Sequence, residues 1–193
     1  SAALVGSDKH AKYVNSLGIP MFNIFRGYDV VDNDHFRLSA EFARNNEKET
    51  RTKYHKMPKK PYFIVVTRLM QRKNILRLID AYNNYRIQFS DKSWDLVICG
   101  DGEEKEIINK KIYDYKLDDY IHLVGFLQYD EIGHWYGLAS AFIHPALHQQ
   151  WGLVVNEACA SGLPILCSKT VGSSDDLVCN EENGFIFDPT DIN

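Results

Sequence analysis

The last two thirds of the chain alternates short, continuously apolar runs with longer amphipathic stretches. The apolar runs are too short for helices and too continuous for strands of a sheet with one wet face. We therefore predict strands that are buried on both sides. They are YFIVV (62–66), WDLVICG (94–100), YIHLVG (120–125), SAFIHP (140–145), PILC (164–167) and GFIF (184–187).

The stretches between these runs have the spacing of amphipathic helices. In residues 74–89 the apolar side chains recur every three or four positions, and Asn74 precedes them as the predicted N-cap. In the next stretch Ile107, Ile108 and Ile112 are expected to share one apolar face. Strands that alternate with helices imply right-handed crossovers, so we predict an α/β fold: a Rossmann-like parallel sheet with helices on both faces.

The first third of the chain is organised differently. Residues 1–34 are expected to form a strand, a helix, and a second strand followed by a loop, and residues 37–56 form a charged, helix-like run. KMPKKPY (56–62) breaks that run with two prolines. Its lysines suit either a docking patch or a solvated linker, and the linker is the preferred interpretation.

Composition restricts the classes of function. The 193 residues are 45% hydrophobic and 25% charged, which is typical of a globular domain with a buried core. A formal net charge of -4 provides no basic field that would attract nucleic acid. The apolar runs are too short to span a bilayer, and no secretory leader is recognised. Four cysteines without CxxC spacing are interpreted as buried, reduced side chains of a cytoplasmic protein.

The strand-to-helix loops are the places to search for chemistry, because ligands of open parallel sheets bind beyond the carboxyl ends of the strands. VVTRLMQRKN (65–74) contains Arg68 and Lys73 just before a predicted helix. Two cations beside a helix N-terminus would suit a diphosphate. Taken singly, each is explained more simply as a solvated surface charge.

The loop VICGDGEEKE (97–106) carries part of a dinucleotide fingerprint. Gly100 and Gly102 supply G-x-G, but Lys105 stands where the third glycine is needed. Glu103 and Glu104 would also repel a pyrophosphate at the start of the following helix. We expect a tight turn that lines a pocket wall rather than a site for NAD.

The third loop is ALHQQWGLVVNEACAS (146–161). Gly152 permits close approach of the backbone, and the helix after it would present free N–H groups to a diphosphate. Glu157, in the second turn, could accept hydrogen bonds from a diol such as ribose. An isolated Glu at that position is more often a plain surface acid. Gly152 and Glu157 therefore indicate a binding site only together with Arg68 and Lys73.

These motifs occur together in a recognisable order. The runs TRLMQRKNILRLIDAY, CGDGEE, VGF, HPALHQQWGLVVNEACASGLPILCS and NGFIFDP resemble the C-terminal, donor-binding half of retaining glycosyltransferases of the GT-B fold, in the large group 1 family. GYDVVDNDHF is similar to the loop between the acceptor and donor domains of those enzymes. The resemblance implies that residues 1–36 are a remnant of the acceptor domain with the crossover loop, residues 37–61 a linker helix, and residues 62–193 the nucleotide-sugar-binding domain.

The resemblance also implies roles for single residues. Arg68 and Lys73 would neutralise the diphosphate of the nucleotide sugar as the catalytic electrophiles. Glu157 would hold the nucleotide ribose. The backbone of Gly152 and Leu153 would contact phosphate or the donor sugar.

Four further residues are implied in donor binding. Val124 and Phe126, in VGF, would line the base, and Gly100 belongs to the pocket wall. Gln149 stands where the family commonly has a Glu that contacts the donor-sugar hydroxyls. An amide still forms hydrogen bonds with a sugar, but it has no charge to stabilise an oxocarbenium-like transition state and cannot serve as a nucleophile.

The function implied is transfer of a hexose from a UDP- or GDP-linked nucleotide sugar to a glycan or glycolipid acceptor, as in lipopolysaccharide or polysaccharide biosynthesis. Two cations would stabilise the leaving group, so no metal cofactor is expected, and SSDD (173–176) is interpreted as a helix cap. The acceptor site would lie mainly in the N-terminal domain, so the chain alone is expected to bind donor without transferring it.

The resemblance places the protein in the cytoplasm, with peripheral association at the inner face of the membrane left open for the full-length protein. A non-catalytic nucleotide-sugar-binding module is the alternative function, because Gln149 could mark lost catalysis. Half of a NAD-dependent oxidoreductase is a distant third, because the glycine pattern is broken.

Overall fold

A small unit of two strands and one helix forms at the beginning of the chain, as predicted. The structure is a computed structural model that describes residues 1–192. In it β1 (Ala3–Val5) pairs in parallel with β2 (Ile24–Arg26), and α1 (Asp8–Ser16) connects them. The unit has its own small core, separate from the two larger clusters of the molecule.

Two helices follow where one charged helical run was expected over residues 37–56. α2 (Asn33–Asn45) begins earlier because the side chain of Asp32 caps it, and α3 (Glu47–Lys53) follows after a break at Asn46. α2 buries Phe36, Ala40 and Ala43 completely. The helix is therefore a packed layer of the fold, which a charged linker pattern did not indicate.

The main sheet contains the six predicted strands, all parallel. They are β3 (Tyr62–Val66), β4 (Asp95–Cys99), β5 (Ile121–Gly125), β6 (Ala141–His144), β7 (Ile165–Ser168) and β8 (Gly184–Phe187). Their order across the sheet is β5, β4, β3, β6, β7, β8.

Helices cover both faces of this sheet, which confirms the predicted α/β architecture. The helices after β3 are α4 (Ile75–Phe89), α5 (Lys105–Asp114), α6 (Tyr129–Leu138), α7 (Leu153–Ala160) and α8 (Ser174–Leu177). One face packs against α2, α6 and α7, and the other against α4 and α5, so each strand contributes alternate residues to two separate cores.

The sheet has one switch point, between β3 and β6. From β3 the chain winds outward through β4 to β5, then returns to the other side of β3 and winds through β6 to β8. The loops that leave β3 and β6 therefore diverge onto opposite faces and leave a crevice between them. This crevice is where a ligand of a doubly wound sheet is expected.

Some local predictions were wrong. Asn74 is the N-cap residue of α4, but in its left-handed conformation its side chain forms no capping hydrogen bond, and its Nδ2 donates to the carbonyls of Pro145 and Pro189. Ile107 does not share the buried face of α5 and is about half exposed. Cys179 is also exposed, although Cys99 is buried as predicted.

Candidate functional site

Two cavities meet at the switch point of the sheet. One, of ≈ 640 Å³, lies between the loops after β3 and β6 and the N-terminal unit. We call it the cationic cleft, because Arg68, Arg72 and Lys73 line it. The other, of ≈ 710 Å³, is called the acidic cavity, because Asp101 and Glu157 line it. Arg68 lines both, so one extended ligand can reach from the first cavity into the second.

The structure brings the two predicted cations into the same cleft. Arg68 is exposed at the junction of the cavities, whereas Lys73 is only 8% exposed at the end of a 3-10 turn. The Lys73 Nζ contacts Oε1 of Gln149. Burial, and then the neighbouring charge of Arg72, lower the pKa of Lys73 to about 8.

Gln149 lies on the wall of the cationic cleft that the β6 loop provides. Two cationic side chains donate to its Oε1: Lys73, and Arg72 through Nη1 at 3.2 Å. Arg72 Nη1 is also 3.4 Å from the carbonyl oxygen of His148. Gln149 therefore lies in the same cleft as the predicted phosphate-binding cations.

The start of α7 completes this cleft. Gly152, the N-cap residue, has φ +99°, a left-handed conformation that glycine adopts without strain. A side chain there would also approach Gln149 and His144, 3.4 and 3.5 Å from an added Cβ. Gly152 and Leu153 both line the cleft, so the N-terminal N–H groups of an eight-residue helix lie at its wall, where such groups can bind an anion.

The loop that follows β4 forms one wall of the acidic cavity. Gly100 lines it with φ +137°, and an added Cβ would lie 1.8 Å from the carbonyl oxygen of Thr67. The β3 and β4 loops can approach this closely only because residue 100 is glycine. The tight turn predicted for this motif therefore forms part of the cavity wall.

The two residues predicted to line a base are separated. Phe126 lies at the rim of the acidic cavity, where its ring is 72% exposed. Val124 is half-buried and packs against the core beneath the sheet, and it is not among the residues lining either cavity. β5 ends at Gly125, whose φ is +82°, so Phe126 lies in the loop after the strand, whereas Val124 lies within it.

Glu157 is partly buried in the acidic cavity, so it is not a plain surface acid. Its Oε2 accepts a hydrogen bond of 2.9 Å from the hydroxyl of Tyr136, a fully buried residue of α6. Burial raises the pKa of Glu157, and the hydrogen bond from Tyr136 opposes that rise. Tyr136 thus fixes the orientation of this carboxylate.

Sequence reasoning missed a link between α7 and the first part of the chain. Trp151 Nε1 donates to Oδ1 of Asn156 at 2.9 Å, and Asn156 Nδ2 donates to the carbonyl of Asp29 at 3.4 Å. This link holds the Asp29 segment over the cationic cleft. The Trp-Gly pair before the helix was a visible signal, but the far end of the link, Asp29, lies 127 residues from Asn156 in sequence.

His144 was also missed. It ends β6, is 1% exposed, and stacks on Phe142. Within the described part of the chain neither of its ring nitrogens has a hydrogen-bond partner. Burial, and then the charge of Lys73, lower the pKa of His144 to about 3, which keeps the imidazole neutral beside the cleft.

Residues 1–192 contain no group of three or more His, Cys, Asp or Glu residues arranged to hold a metal ion. None of the helices described in that range is long and apolar enough to cross a bilayer.

Comparison of the sequence with known proteins identifies a family. A family model described as glycosyl transferases group 1 matches residues 46–193, more than half of the chain. The chain is 30% identical over 124 residues to alpha-monoglucosyldiacylglycerol synthase of Acholeplasma laidlawii, an alignment that covers 64% of this chain and 30% of that relative. The chain spans about a third or less of the length of the curated relatives it matches first.

Solved structures show the same fold. A glycosyltransferase from Rickettsia africae superposes with a TM-score of 0.81 at 17% identity, over 100% of this chain and 50% of that chain. HepE from Anabaena in complex with UDP superposes with a TM-score of 0.80 at 18% identity, over 100% and 51%. The described fold thus corresponds to about half of each of these solved chains.

Proposed function

The chain belongs to the group 1 glycosyl transferases, and we propose that it is the C-terminal, nucleotide-sugar-binding half of a retaining enzyme of that family. The reaction proposed is transfer of a hexose from a UDP- or GDP-sugar to a glycan or glycolipid acceptor. One observation carries the proposal: Arg68 and Lys73 face the N-terminus of α7 in one cleft, which continues past Arg68 to Glu157. Structures of HepE with UDP and with UDP-glucose support the choice of ligand.

The proposed mechanism uses the cationic cleft to stabilise the departing diphosphate. When the bond to the anomeric carbon breaks, negative charge develops on the leaving phosphate. Arg68, Lys73 and the N–H groups at the start of α7 are placed to stabilise it, so this step is proposed to proceed without a metal ion. Lys73, with a pKa of about 8, is mostly protonated at neutral pH, and a bound diphosphate favours the protonated form further.

Donor recognition is proposed to divide between the two cavities. Gln149 would form hydrogen bonds with sugar hydroxyls in the cationic cleft, while the backbone of Gly152 and Leu153 contacts phosphate. Glu157, oriented by Tyr136, would accept hydrogen bonds from the ribose hydroxyls. The base would then extend toward the wall at Gly100 and the rim at Phe126.

The acceptor is proposed to bind mainly to a domain outside this chain. Retention of configuration would follow from the departing phosphate assisting removal of the acceptor proton on the same face of the sugar. The isolated chain is therefore expected to bind donor and to transfer little sugar. The setting proposed is the cytoplasm, where the full-length protein would reach glycolipid acceptors by peripheral association with the membrane.

A thermal-shift panel of UDP, GDP, ADP, CMP and NAD tests this proposal. A ligand at about 100 times its Kd stabilises a protein by about 2.7 kcal/mol, or about 5–10 °C for this chain length. One diphosphate should stand out and lose its effect in Arg68→Ala, Lys73→Ala and Glu157→Ala. Arg77→Ala is the matched control, because Arg77 lies on α4 and does not line either cavity. A flat panel, or an equal loss in the control, would contradict the assignment.

The neutral amide of Gln149 favours a second candidate, a nucleotide-sugar-binding module without catalysis. The two functions differ in what the full-length protein does. Incorporation of labelled sugar into membrane or glycan acceptors by the full-length protein would exclude the module. Donor binding without transfer or donor hydrolysis would favour it.

A further inference from the structure

The cationic cleft holds more positive charge than a diphosphate requires. Arg68, Arg72 and Lys73 all line it, and Asp29 is the single carboxylate among its described lining residues. The diphosphate of a nucleotide sugar carries two negative charges, which Arg68 and Lys73 can match. Arg72 then remains as a third cation.

Arg72 is exposed, but hydrogen bonds hold its guanidinium group at the Gln149 end of the cleft. Its Nη1 lies 3.2 Å from Gln149 Oε1 and 3.4 Å from the carbonyl oxygen of His148. Lys73 donates to the same Gln149 oxygen. Two cationic groups therefore share one neutral acceptor, and neither has a carboxylate partner within residues 1–192.

Asp29 does not compensate this charge locally. Its Oδ2 lies beside Gly6, 2.8 Å from the position that a Cβ there would take, on the wall formed by the N-terminal unit. Its backbone carbonyl accepts a hydrogen bond from Asn156 of α7, and within residues 1–192 its carboxylate forms no ion pair with Arg72 or Lys73. The Gln149 end of the cleft thus keeps two cations and one amide.

The chemistry of these groups selects an anionic ligand. A guanidinium presents paired N–H donors that match the two oxygens of a carboxylate, and such charge-assisted bonds are stronger than those to neutral hydroxyls. The Gln149 amide can donate through Nε2 while its Oε1 faces the cations. A glutamate there would pair with Arg72 and Lys73 and repel an incoming carboxylate.

We propose that Arg72 and Gln149 form a carboxylate subsite, and that the donor is a nucleoside-diphosphate uronic acid, not a neutral hexose. This inference rests on the proposed function, because it places the sugar at the Gln149 end of a bound nucleotide sugar. The carboxylate of the uronic acid accepts hydrogen bonds from Arg72 and Gln149. Arg72 is therefore a specificity-determining residue that recognises the substrate's charge.

Calorimetric titration with UDP, UDP-glucose and UDP-glucuronate at low ionic strength tests the proposal. The two sugar nucleotides differ only at carbon 6 of the sugar. We expect UDP-glucuronate to bind the unmodified chain at least about tenfold more tightly than UDP-glucose, a difference of about 1.4 kcal/mol. If the nucleotide panel selects GDP, the corresponding pair is GDP-mannose and GDP-mannuronate.

Three variants locate the effect. Arg72→Gln should remove the preference for the uronate and leave UDP binding within about threefold. Gln149→Glu should reverse the preference, because the new carboxylate neutralises the cations and repels the uronate. Arg77→Gln is the control, because Arg77 contacts Pro189 outside the cleft. This variant should retain the preference for the uronate.

Each outcome has a defined meaning. Equal binding of the two sugar nucleotides by the unmodified chain, together with clear binding of UDP, would overturn the carboxylate subsite and leave the proposed function standing. A uronate preference that survives Arg72→Gln would overturn the role of Arg72. Failure of every nucleotide to bind would overturn the proposed function, and this inference with it.

Discussion

The two cavities at the switch point share Arg68 but are built from opposite chemistry. In the cationic cleft Arg72 and Lys73 surround a neutral amide, whereas the acidic cavity presents Glu157, whose orientation Tyr136 fixes. Attraction between charges acts over several ångströms and tolerates inexact placement, but a hydrogen bond requires defined distance and angle. A ligand that spans both would be held by charge at one end and by geometry at the other.

Gly100→Ala is expected to break both cavities at once and to have the largest effect. An added Cβ would lie 1.8 Å from Thr67 O, in the loop that both cavities share, and the backbone has φ +137°. Strain of about 2–3 kcal/mol is expected. That corresponds to a fall in Tm of about 4–12 °C, measured by thermal unfolding.

Gly18→Ala is the matched control for that change. Gly18 has φ +97°, but nothing lies within 4 Å of an added Cβ. Gly18→Ala should therefore introduce the backbone strain without a steric clash. A fall in Tm as large as that of Gly100→Ala would mean that close approach of the loops is not what requires glycine.

Lys73→Met is expected to break the cationic cleft alone. Loss of a charge-assisted contact of about 1.5–3 kcal/mol should weaken UDP binding about 10–150-fold. The Tm of the unliganded chain should not fall, because the substitution removes a buried charge that has no carboxylate partner among the described residues. Calorimetry and thermal unfolding measure the two effects. A variant whose Tm is lowered but whose affinity for UDP is unchanged would contradict this account.

Tyr136→Phe is expected to weaken the acidic cavity without changing the cleft. Without the hydroxyl, Glu157 loses its fixed orientation, and its pKa rises further. Binding of UDP should weaken about tenfold, while 2′,3′-dideoxy-UDP, which lacks the ribose hydroxyls, should bind as to the unmodified chain. The loss for UDP should grow as pH falls, because a protonated Glu157 accepts hydrogen bonds less well.

Tyr82→Phe controls for the loss of a buried hydroxyl. Tyr82 donates to the carbonyl of Trp94 on the other face of the sheet. Tyr82→Phe should lower the free energy of unfolding without changing the ratio of UDP affinity to dideoxy-UDP affinity. Equal losses of both ligands in Tyr136→Phe would assign Tyr136 a structural role only.

A pH titration gives the smallest expected effect and separates the two cavities further. Lys73 has a pKa of about 8 when no ligand is bound, and diphosphate binding requires its protonated form. Affinity for UDP-glucose should therefore be nearly constant below about pH 7, fall about twofold between pH 7 and pH 8, and fall about fivefold between pH 8 and pH 9. Lys73→Arg should abolish that decline, because arginine keeps its charge. A flat profile in the unmodified chain would contradict the assignment.

The strands were predictable because both their faces are buried. A run such as Tyr62–Val66 must then be apolar at every position, and that pattern is visible without knowing the neighbours. The role of α2 was not predictable from its charges, because only a narrow stripe including Phe36 and Ala40 faces the core. Its start at Asn33 depends on the side chain of Asp32.

The candidate site was predictable only in part. Arg68, Lys73 and Glu157 could be selected because loops after parallel strands converge and because the motifs resemble a family. Tyr136 and Arg72 could not, since a tyrosine in an apolar helix and an arginine in a basic loop have no distinctive local pattern. Their importance comes from partners 21 and 77 residues away.

Sequence alone determined the alternating architecture, the loops that carry the chemistry and the substitution of an amide at Gln149, because these depend on local periodicity and residue type. Tertiary structure decided which side chains meet: Tyr136 with Glu157, and Arg72 with Gln149. It also decided that Lys73 is buried, and that Phe126 lines the acidic cavity whereas Val124 packs against the core. Burial and distance depend on the whole packed chain, so no local pattern specifies them.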